Sequence, residues 1–162
     1  MKPIRLFILA TAFLAVSTGI VAARGVRLWS YQELLEKSDL VVIAFPTATN
    51  DTKEHIDLPC FDGQRVIGVE TRFTVSAVLK GDKALRDFVF HYFHYYRTPD
   101  GANIPNVPNG PSFVSFAPVE NPTSVQRKYI LFLLREAEGR YAPVNDQADP
   151  GIGVKELVGA AR

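Results

Sequence analysis

The sequence predicts a mainly β protein, a small antiparallel barrel of five to six strands with a short helix near each end. Three observations support this prediction. Apolar or alternating segments of strand length follow one another, segments rich in Pro, Gly and Asn separate them, and helical patterns occur only near the ends. Strands with so few helices need ring closure or a second sheet to protect their edges, and a small barrel is the simplest arrangement that does so.

The N-terminal segment is typical of an export signal. Lys2 and Arg5 are followed by an uncharged run that ends in Val-Ala-Ala. This pattern predicts a signal peptide over residues 1–23 and one mature domain over residues 24–162, in a secreted or periplasmic protein. An uncleaved signal anchor is the alternative, because the uncharged run approaches the length that spans a bilayer. We expect the protein to contact a membrane only through such an anchor.

Charge and cysteine content narrow the class of protein further. The 162 residues carry a formal charge of +1, and removal of residues 1–23 takes away two of the 18 basic residues and none of the 17 acidic ones, which leaves −1. A nearly neutral chain has no long-range attraction to nucleic acid, so we expect no nucleic-acid partner. Cys60 is the single cysteine, so no intrachain disulfide can form and the core must stabilise the fold alone.

The first two elements of the domain are a helix and a buried strand. Ser30 and Glu33 form a capping-box pattern, which predicts a helix over about Tyr31 to Lys37. The run Leu40 to Phe45 is short, β-branched and apolar on both faces, as in a buried strand. Residues 47–65 are polar and without periodicity, so we expect a loop there.

The clearest strand is the segment VIGVETRFTVSAVLK, residues 66–80. Every second residue from Ile67 to Leu79 is apolar or Thr, which places one face of the strand on the core. A turn is predicted at residues 80–82, and the aromatic segment FVFHYFHYY, Phe88 to Tyr96, reads as the next strand because Phe, Tyr and Val favour strands.

The C-terminal half alternates loops with shorter elements. Residues 97–112 form a loop rich in Pro, Gly and Asn, followed by a short strand at Phe113 to Phe116. The run KYILFLLRE is a buried strand that pairs with RYAPV through a tight turn at Glu138-Gly139. A final short helix is expected over about Val154 to Val158.

This order of elements resembles the netrin-like modules, which include the domains of tissue inhibitors of metalloproteinases. The similarity spans about Leu40 to Val144 and rests on SDLVVIA, ETRFTVSAVLKGD and QRKYILFLLREAEGRYAPV. It implies an OB-like five-stranded barrel. The chain also looks like uncharacterised secreted proteins of environmental bacteria in which this module stands almost alone. The inhibitors chelate their target's zinc through an N-terminal cysteine, whereas the predicted mature chain starts at Arg24, so the resemblance carries over no inhibitory residue.

Histidines and the cysteine are the candidate metal ligands. On a helix His91 and His94 would share a face, but in a strand they point to opposite faces and cannot bind one ion without a bulge. His55 and Cys60 could complete a site with one of them, yet their spacing matches no common zinc motif. We therefore predict no metal and no cofactor.

Two further kinds of site receive little support from the sequence. A Cys–His nucleophilic pair would combine Cys60 with His55, His91 or His94, and no feature indicates an activated thiolate. No G-x-S-x-G motif occurs. Acidic residues of the 47–65 segment could bind calcium but lack the EF-hand spacing, so a solvated loop is the better interpretation. They are Asp51, Glu54, Asp57 and Asp62.

The aromatic strand is the candidate recognition surface. We expect Phe88, Phe90 and Tyr92 to face the core more fully than Val89, His91 and Phe93. Exposed aromatic residues of OB-like barrels bind extended ligands by stacking. The candidate ligand-binding residues are Tyr92, Tyr95, Tyr96 and Arg97.

The sequence thus predicts a secreted or periplasmic, non-catalytic binding module for an unknown protein, peptide or glycan. One alternative is a metal- or thiol-dependent enzyme that uses Cys60 with His55, His91 or His94. The other is a structural component of an envelope assembly, in which the exposed aromatic residues form an interface.

Overall fold

The computed structural model describes residues 27–58, 64–96, 112–116, 127–147 and 149–157. They form one short α-helix, two single-turn 3-10 helices (Ala137–Gly139 and Pro150–Ile152) and a six-stranded mixed sheet. The elements are α1 (Tyr31–Lys37), β1 (Leu40–Leu58), β2 (Gln64–Lys80), β3 (Asp87–Tyr95), β4 (Lys128–Arg135), β5 (Tyr141–Pro143) and β6 (Val154–Leu157). Within those ranges no helix has the length and apolarity needed to cross a membrane. The predicted signal peptide, residues 1–23, lies outside them.

The strand pairings return to the first strand. The order is β1-β2-β3-β5-β4-β6, and β1 also pairs with β4. All pairings are antiparallel except β3–β5, which is parallel and consists of Phe90 opposite Tyr141. The expectation of a wholly antiparallel arrangement is therefore wrong at this one pairing. The hairpin makes β5 antiparallel to β4, and because β4 runs opposite to β3 this makes β5 parallel to β3.

The core fills the inside of this ring of strands. Phe73 is completely buried and contacts the rings of Phe88, Phe90, Phe116 and Tyr129 at centroid distances of 5.0 to 6.4 Å. These ring contacts are mostly edge-to-face, the geometry that aromatic quadrupoles favour. Small apolar residues of β1 and branched residues of β4 complete the core cluster.

Helix α1 is confirmed with its predicted bounds. The Ser30 hydroxyl accepts from the Glu33 amide at 3.2 Å, and the Glu33 carboxylate accepts from the Ser30 amide at 2.9 Å. The hydrogen bonds that the Ser30 amide and hydroxyl donate to the Glu33 carboxylate lower the pKa of Glu33. At the other end, the Lys80 ammonium of β2 donates to the carbonyls of Leu35 and Glu36 at 2.7 and 3.0 Å, and Leu34 packs on Phe132 outside the ring.

The expectation of a loop over residues 47–65 is wrong for residues 47–58 and 64–65, and residues 59–63 lie outside the described part of the chain. Strand β1 continues through Pro46 to Leu58, and β2 begins at Gln64. Beyond Pro46 most residues of β1 are exposed, so the segment shows no apolar alternation although it is paired with β2. Register shifts after Pro46 and after Asp51 allow the strand to bend and to contain a proline.

Two other expectations about short elements are wrong. Residues 113–116 are not a strand; Phe116 is inserted into the core from an irregular segment, 4% exposed. The expected C-terminal helix is instead β6. Its residues Val154 to Leu157 pair with Leu131 to Lys128, on the same edge of β4 as β5. The predicted turn at Glu138-Gly139 is confirmed, with positive φ at both residues, and β5 follows it.

Candidate functional site

The candidate site is a cavity of about 400 Å³ at one end of the ring, the inner pocket. It lies where the core-facing rows of β1, β2 and β3 change from apolar to polar side chains. Along β3 the row runs from the buried Phe88, Phe90 and Tyr92 to His94, which is only half-buried. The pocket is lined by Thr49, Asp51, Val69, Tyr92, His94, Tyr95, Phe113, Val114, Ser115 and Phe116.

A His–Asp pair forms one wall of the inner pocket. Asp51 of β1 is opposite Val69 of β2, which is opposite Tyr92 of β3, so the three strands bring Asp51 close to His94. The His94 Nε2 and Asp51 Oδ1 atoms are 3.1 Å apart. The side chains are 30% and 60% exposed, so both are open to a ligand.

A chain of hydroxyl groups lies beneath this pair. Thr49 and Thr71 are joined by a 2.9 Å hydrogen bond between their Oγ1 atoms, and Thr71 Oγ1 lies 3.1 Å from the Tyr92 hydroxyl. Burial raises the pKa of Tyr92, and the negative charge of Asp51 raises it further. The Tyr92 hydroxyl therefore stays protonated and can donate or accept within the pocket.

Aromatic rings form the remaining walls. Tyr95 meets Phe113 with ring centroids 4.9 Å apart and planes at 71°, while Tyr92 meets Phe116 at 5.4 Å and 89°. The segment 112–116 thus supplies two rings that face two tyrosines of β3. The pocket combines apolar walls with a few hydrogen-bonding groups, which is the usual composition of a small-molecule site.

The inner pocket also holds a serine beside its His–Asp pair. Ser115 lines the same cavity as His94 and Asp51, but no hydrogen bond joins Ser115 to His94 in the described part of the chain. A serine nucleophile needs a base within hydrogen-bond reach. The arrangement instead offers donors, acceptors, one carboxylate and aromatic surface.

His91 belongs to a different constellation, the outer cluster, on the opposite face of β3. Its Nδ1 is 2.9 Å from Glu136 Oε2, with which it forms a hydrogen bond. Its Nε2 is 3.0 Å from Glu54 Oε2, but without the alignment of a hydrogen bond. The opposite orientation of His91 and His94, predicted from strand alternation, is confirmed.

Arg140 joins the carboxylates of the outer cluster, which consists of His91, Glu54, Glu70, Glu136 and Arg140. Its Nη1 donates to Glu54 at 2.9 Å and to Glu70 at 3.1 Å, and its Nε lies 3.6 Å from Glu136. The hydrogen bond from Arg140 lowers the pKa of Glu54, and the two carboxylates raise the pKa of Arg140. The cluster therefore satisfies most of its charges internally.

Glycine at position 68 permits the outer cluster to form. Between Asp51 and His55 the register of β1 shifts, so the residues between them arch over β2. A Cβ atom at Gly68 would lie 2.5 Å from Thr52 Oγ1 and 3.0 Å from Glu54 Cβ. Only glycine leaves room for this bulge, which carries Glu54 across β2 to His91 on β3.

The structure divides the predicted ligand-binding residues. Tyr92 and Tyr95 line the inner pocket. Tyr92 is buried in the core rather than on an exposed face, and its hydroxyl forms a hydrogen bond with Thr71. Tyr96 is half-buried, and its ring lies 6.4 Å from that of His55. Arg97 lies outside the described residues. The expected half-exposed outer face of β3 is also wrong at His91 and Phe93, which are buried.

The three candidate histidines are not brought together. His91 and His94 have separate carboxylate partners, His55 packs on Tyr96, and Cys60 lies outside the described residues. In the described part of the chain, no three His, Cys, Asp or Glu side chains are placed to share one ion. The shared metal site of the enzyme hypothesis therefore gains no support.

The expected solvated acidic loop is also different in the structure. Asp51, Glu54 and Asp57 lie on β1 and bind His94, Arg140 and Arg65 respectively, while Asp62 lies outside the described residues. These carboxylates are paired by cross-strand contacts because β1 continues through the segment.

Sequence reasoning missed the pocket residues outside the aromatic strand. Thr49 and Asp51 were assigned to a loop, and the contribution of Phe113 and Phe116 depends on how an irregular segment folds back. One signal was present: on β3, a histidine continues a row of three core aromatic residues, which is unusual inside a core.

Comparisons of the chain with family models, with curated proteins and with solved structures gave no match.

Proposed function

We propose that the protein is an exported, non-catalytic binding module that holds a small ligand in the inner pocket. The supporting observation is the change from Phe88, Phe90 and Tyr92 to His94 along one row of β3, at the wall of a cavity. A side-chain row that serves only the core has no need of a half-exposed His–Asp pair.

The proposed fold is an OB-like barrel related to the netrin-like modules. Support comes from the five strands β1-β2-β3-β5-β4, whose pairings return from β4 to β1. The β3–β5 contact of a single residue pair agrees with the partly open form of an OB-like barrel. Ligands of OB folds bind at the face of strands 2 and 3 and the neighbouring loops, and the proposal is supported by the contribution of Val69 of β2 and of Tyr92, His94 and Tyr95 of β3 to the inner pocket.

Export can be tested on the full chain. Expression in a bacterial host should place the protein outside the cytoplasm, and sequencing of its N-terminus should begin at Arg24. A protein that keeps Met1 and sediments with membranes would instead be anchored by its N-terminal segment.

Ligand binding can be tested on the same exported protein by nuclear magnetic resonance. A panel of hexoses, dipeptides and small amines is titrated while the backbone amides of residues 49–51, 92–95 and 113–116 are followed. We expect one class to shift these amides saturably, since they surround the pocket. Ser115→Trp, which fills the pocket, should remove the response.

A matched control uses the same substitution elsewhere. Ser76 is exposed on β2 and does not line the pocket. Ser76→Trp should therefore bind as the unchanged protein does. Equal responses in Ser115→Trp and Ser76→Trp, or no response to any class in the unchanged protein, would refute the inner pocket as a ligand site.

A further inference from the structure

From the charges and ring geometry of the inner pocket we infer that its ligand carries an ammonium group, preferably a methylated one, held between the aromatic rings and Asp51. This inference rests on the proposed ligand-binding function and specifies the chemical class of the ligand.

The first support is the charge of the pocket. Among the described residues, ten line the pocket, none of these is Lys or Arg, and Asp51 is the one carboxylate. His94 serves Asp51 as a hydrogen-bonding partner at 3.1 Å. An anionic ligand would meet a carboxylate without a neighbouring lysine or arginine, so the pocket disfavours anions and favours cations.

The second support is that Asp51 retains unused capacity to accept. Its Oδ1 contacts His94, and no hydrogen bond to Oδ2 occurs within the described residues. The side chain is 60% exposed, so a ligand reaches it without rearrangement of the strand. The charge of Asp51 also acts inside the pocket, because it contributes to the raised pKa of Tyr92.

The third support is the relative orientation of the rings. The Tyr95–Phe113 planes meet at 71° and the Tyr92–Phe116 planes at 89°. The second pair belongs to the core, whereas the half-buried Tyr95–Phe113 pair forms a corner that suits a rounded group such as trimethylammonium better than the flat face of a sugar. Aromatic faces are electron-rich and attract such cations, and aromatic cages are a common means of recognising them.

Partial burial adds to this attraction. Tyr92 and Phe116 are 2% and 4% exposed and belong to the core, whereas Tyr95 and Phe113 are half-buried, so a group held beside these two rings loses part of its water. A methylated ammonium loses less hydration than a primary ammonium, and cation–π attraction grows as water is excluded. The pocket therefore favours methylated over primary amines.

The experiment compares two probes of the same shape on the exported protein by isothermal titration calorimetry. Choline carries the quaternary ammonium, and 3,3-dimethylbutan-1-ol replaces its nitrogen by carbon. We expect choline to bind saturably and the neutral alcohol to bind at least about tenfold more weakly. Glucose is the third probe, as a neutral ligand of the alternative class.

Two variants assign the effect to the pocket. Asp51→Asn keeps the side-chain shape and removes the charge, so the preference for choline over the alcohol should fall about tenfold. Phe113→Leu removes one ring and should weaken choline binding severalfold. Asp57→Asn makes the same change as Asp51→Asn on the same strand, away from the pocket, and should bind like the unchanged protein.

The outcomes separate the two proposals. Equal affinity for choline and the alcohol, or a preference unchanged in Asp51→Asn, would overturn the ammonium class. Binding of glucose without binding of choline would overturn it as well, but would leave the inner pocket as a ligand site. The absence of binding by every probe, here and in the panel, would overturn both. Circular dichroism of each variant shows that it is folded.

Discussion

His91 and His94 lie three residues apart on β3 and belong to opposite kinds of environment. The His91 side chain is 5% exposed and lies between two carboxylates of the outer cluster, whereas the His94 side chain is 30% exposed and borders the inner pocket. In the outer cluster the charged side chains pair with one another. The inner pocket leaves a carboxylate oxygen and ring surface open to a ligand, so we expect substitutions in the outer cluster to affect stability and those in the inner pocket to affect binding.

The largest expected difference is between alanine substitutions of the two histidines. His91→Ala leaves a void and removes a partner from Glu54 and Glu136, so it should lower the free energy of unfolding by about 3 kcal/mol. His94→Ala removes a contact with the exposed Asp51 and should cost less than about 1 kcal/mol. Urea denaturation of both variants measures the difference. Equal losses would contradict the division of β3 into two environments.

The next prediction concerns the bulge that brings Glu54 to His91. Gly68→Ala places a methyl group 2.5 Å from Thr52 Oγ1 and should lower the free energy of unfolding by about 2 kcal/mol. Combining it with Thr52→Ala should recover part of that loss, because the nearest clashing atom is removed. Thermal unfolding of the two single variants and the double variant provides the comparison, and strict additivity would show that the two sites are not in contact.

Acid should weaken the outer cluster through Glu54. The hydrogen bond from Arg140 holds the folded pKa of Glu54 below its ordinary value of 4.5. The contribution to stability is therefore complete above pH 4.5 and is lost as pH falls through the folded pKa. The difference in unfolding free energy between the unchanged protein and Glu54→Gln should shrink below pH 4.5. A difference that stays constant from pH 6 to pH 3 would contradict this.

The smallest expected effect is at the inner pocket in alkali. Burial raises the folded pKa of Tyr92 above 10.0, so its contribution is complete below pH 10 and is lost as pH rises through the folded value. The advantage of the unchanged protein over Tyr92→Phe, about 1 kcal/mol at neutral pH, should decline above pH 10. Tyr129, whose pKa is also raised by burial, is present in both proteins and cancels. Denaturation curves at pH 9 and pH 11 provide the measurement.

The sequence was informative wherever local chemistry determines structure. The capping box located α1, and the alternation of β3 assigned His91 and His94 to opposite faces and Phe88, Phe90 and Tyr92 to the core. These features depend on residues close together in the chain, for which backbone geometry is decisive.

The sequence was uninformative where the structure depends on contacts between segments that are distant in the chain. Strand β1 beyond Pro46 is exposed and is fixed by pairing with β2 rather than by its own apolar pattern. The burial of Phe116, and with it two walls of the inner pocket, depends on an irregular segment docking on β3. Glu54 reaches His91 only because position 68 is glycine, and this three-strand relation has no local signature.

The contact between Lys80 and the end of α1 has a consequence for the order in which the chain folds. A helix of seven residues is too short to persist alone in water. The Lys80 ammonium that caps its last carbonyls comes from more than 40 residues later in the chain. During synthesis from the N-terminus, we therefore expect residues 31–37 to hold a lasting helix only after β2 has been made and paired with β1, which makes the first element in sequence one of the later ones to become stable.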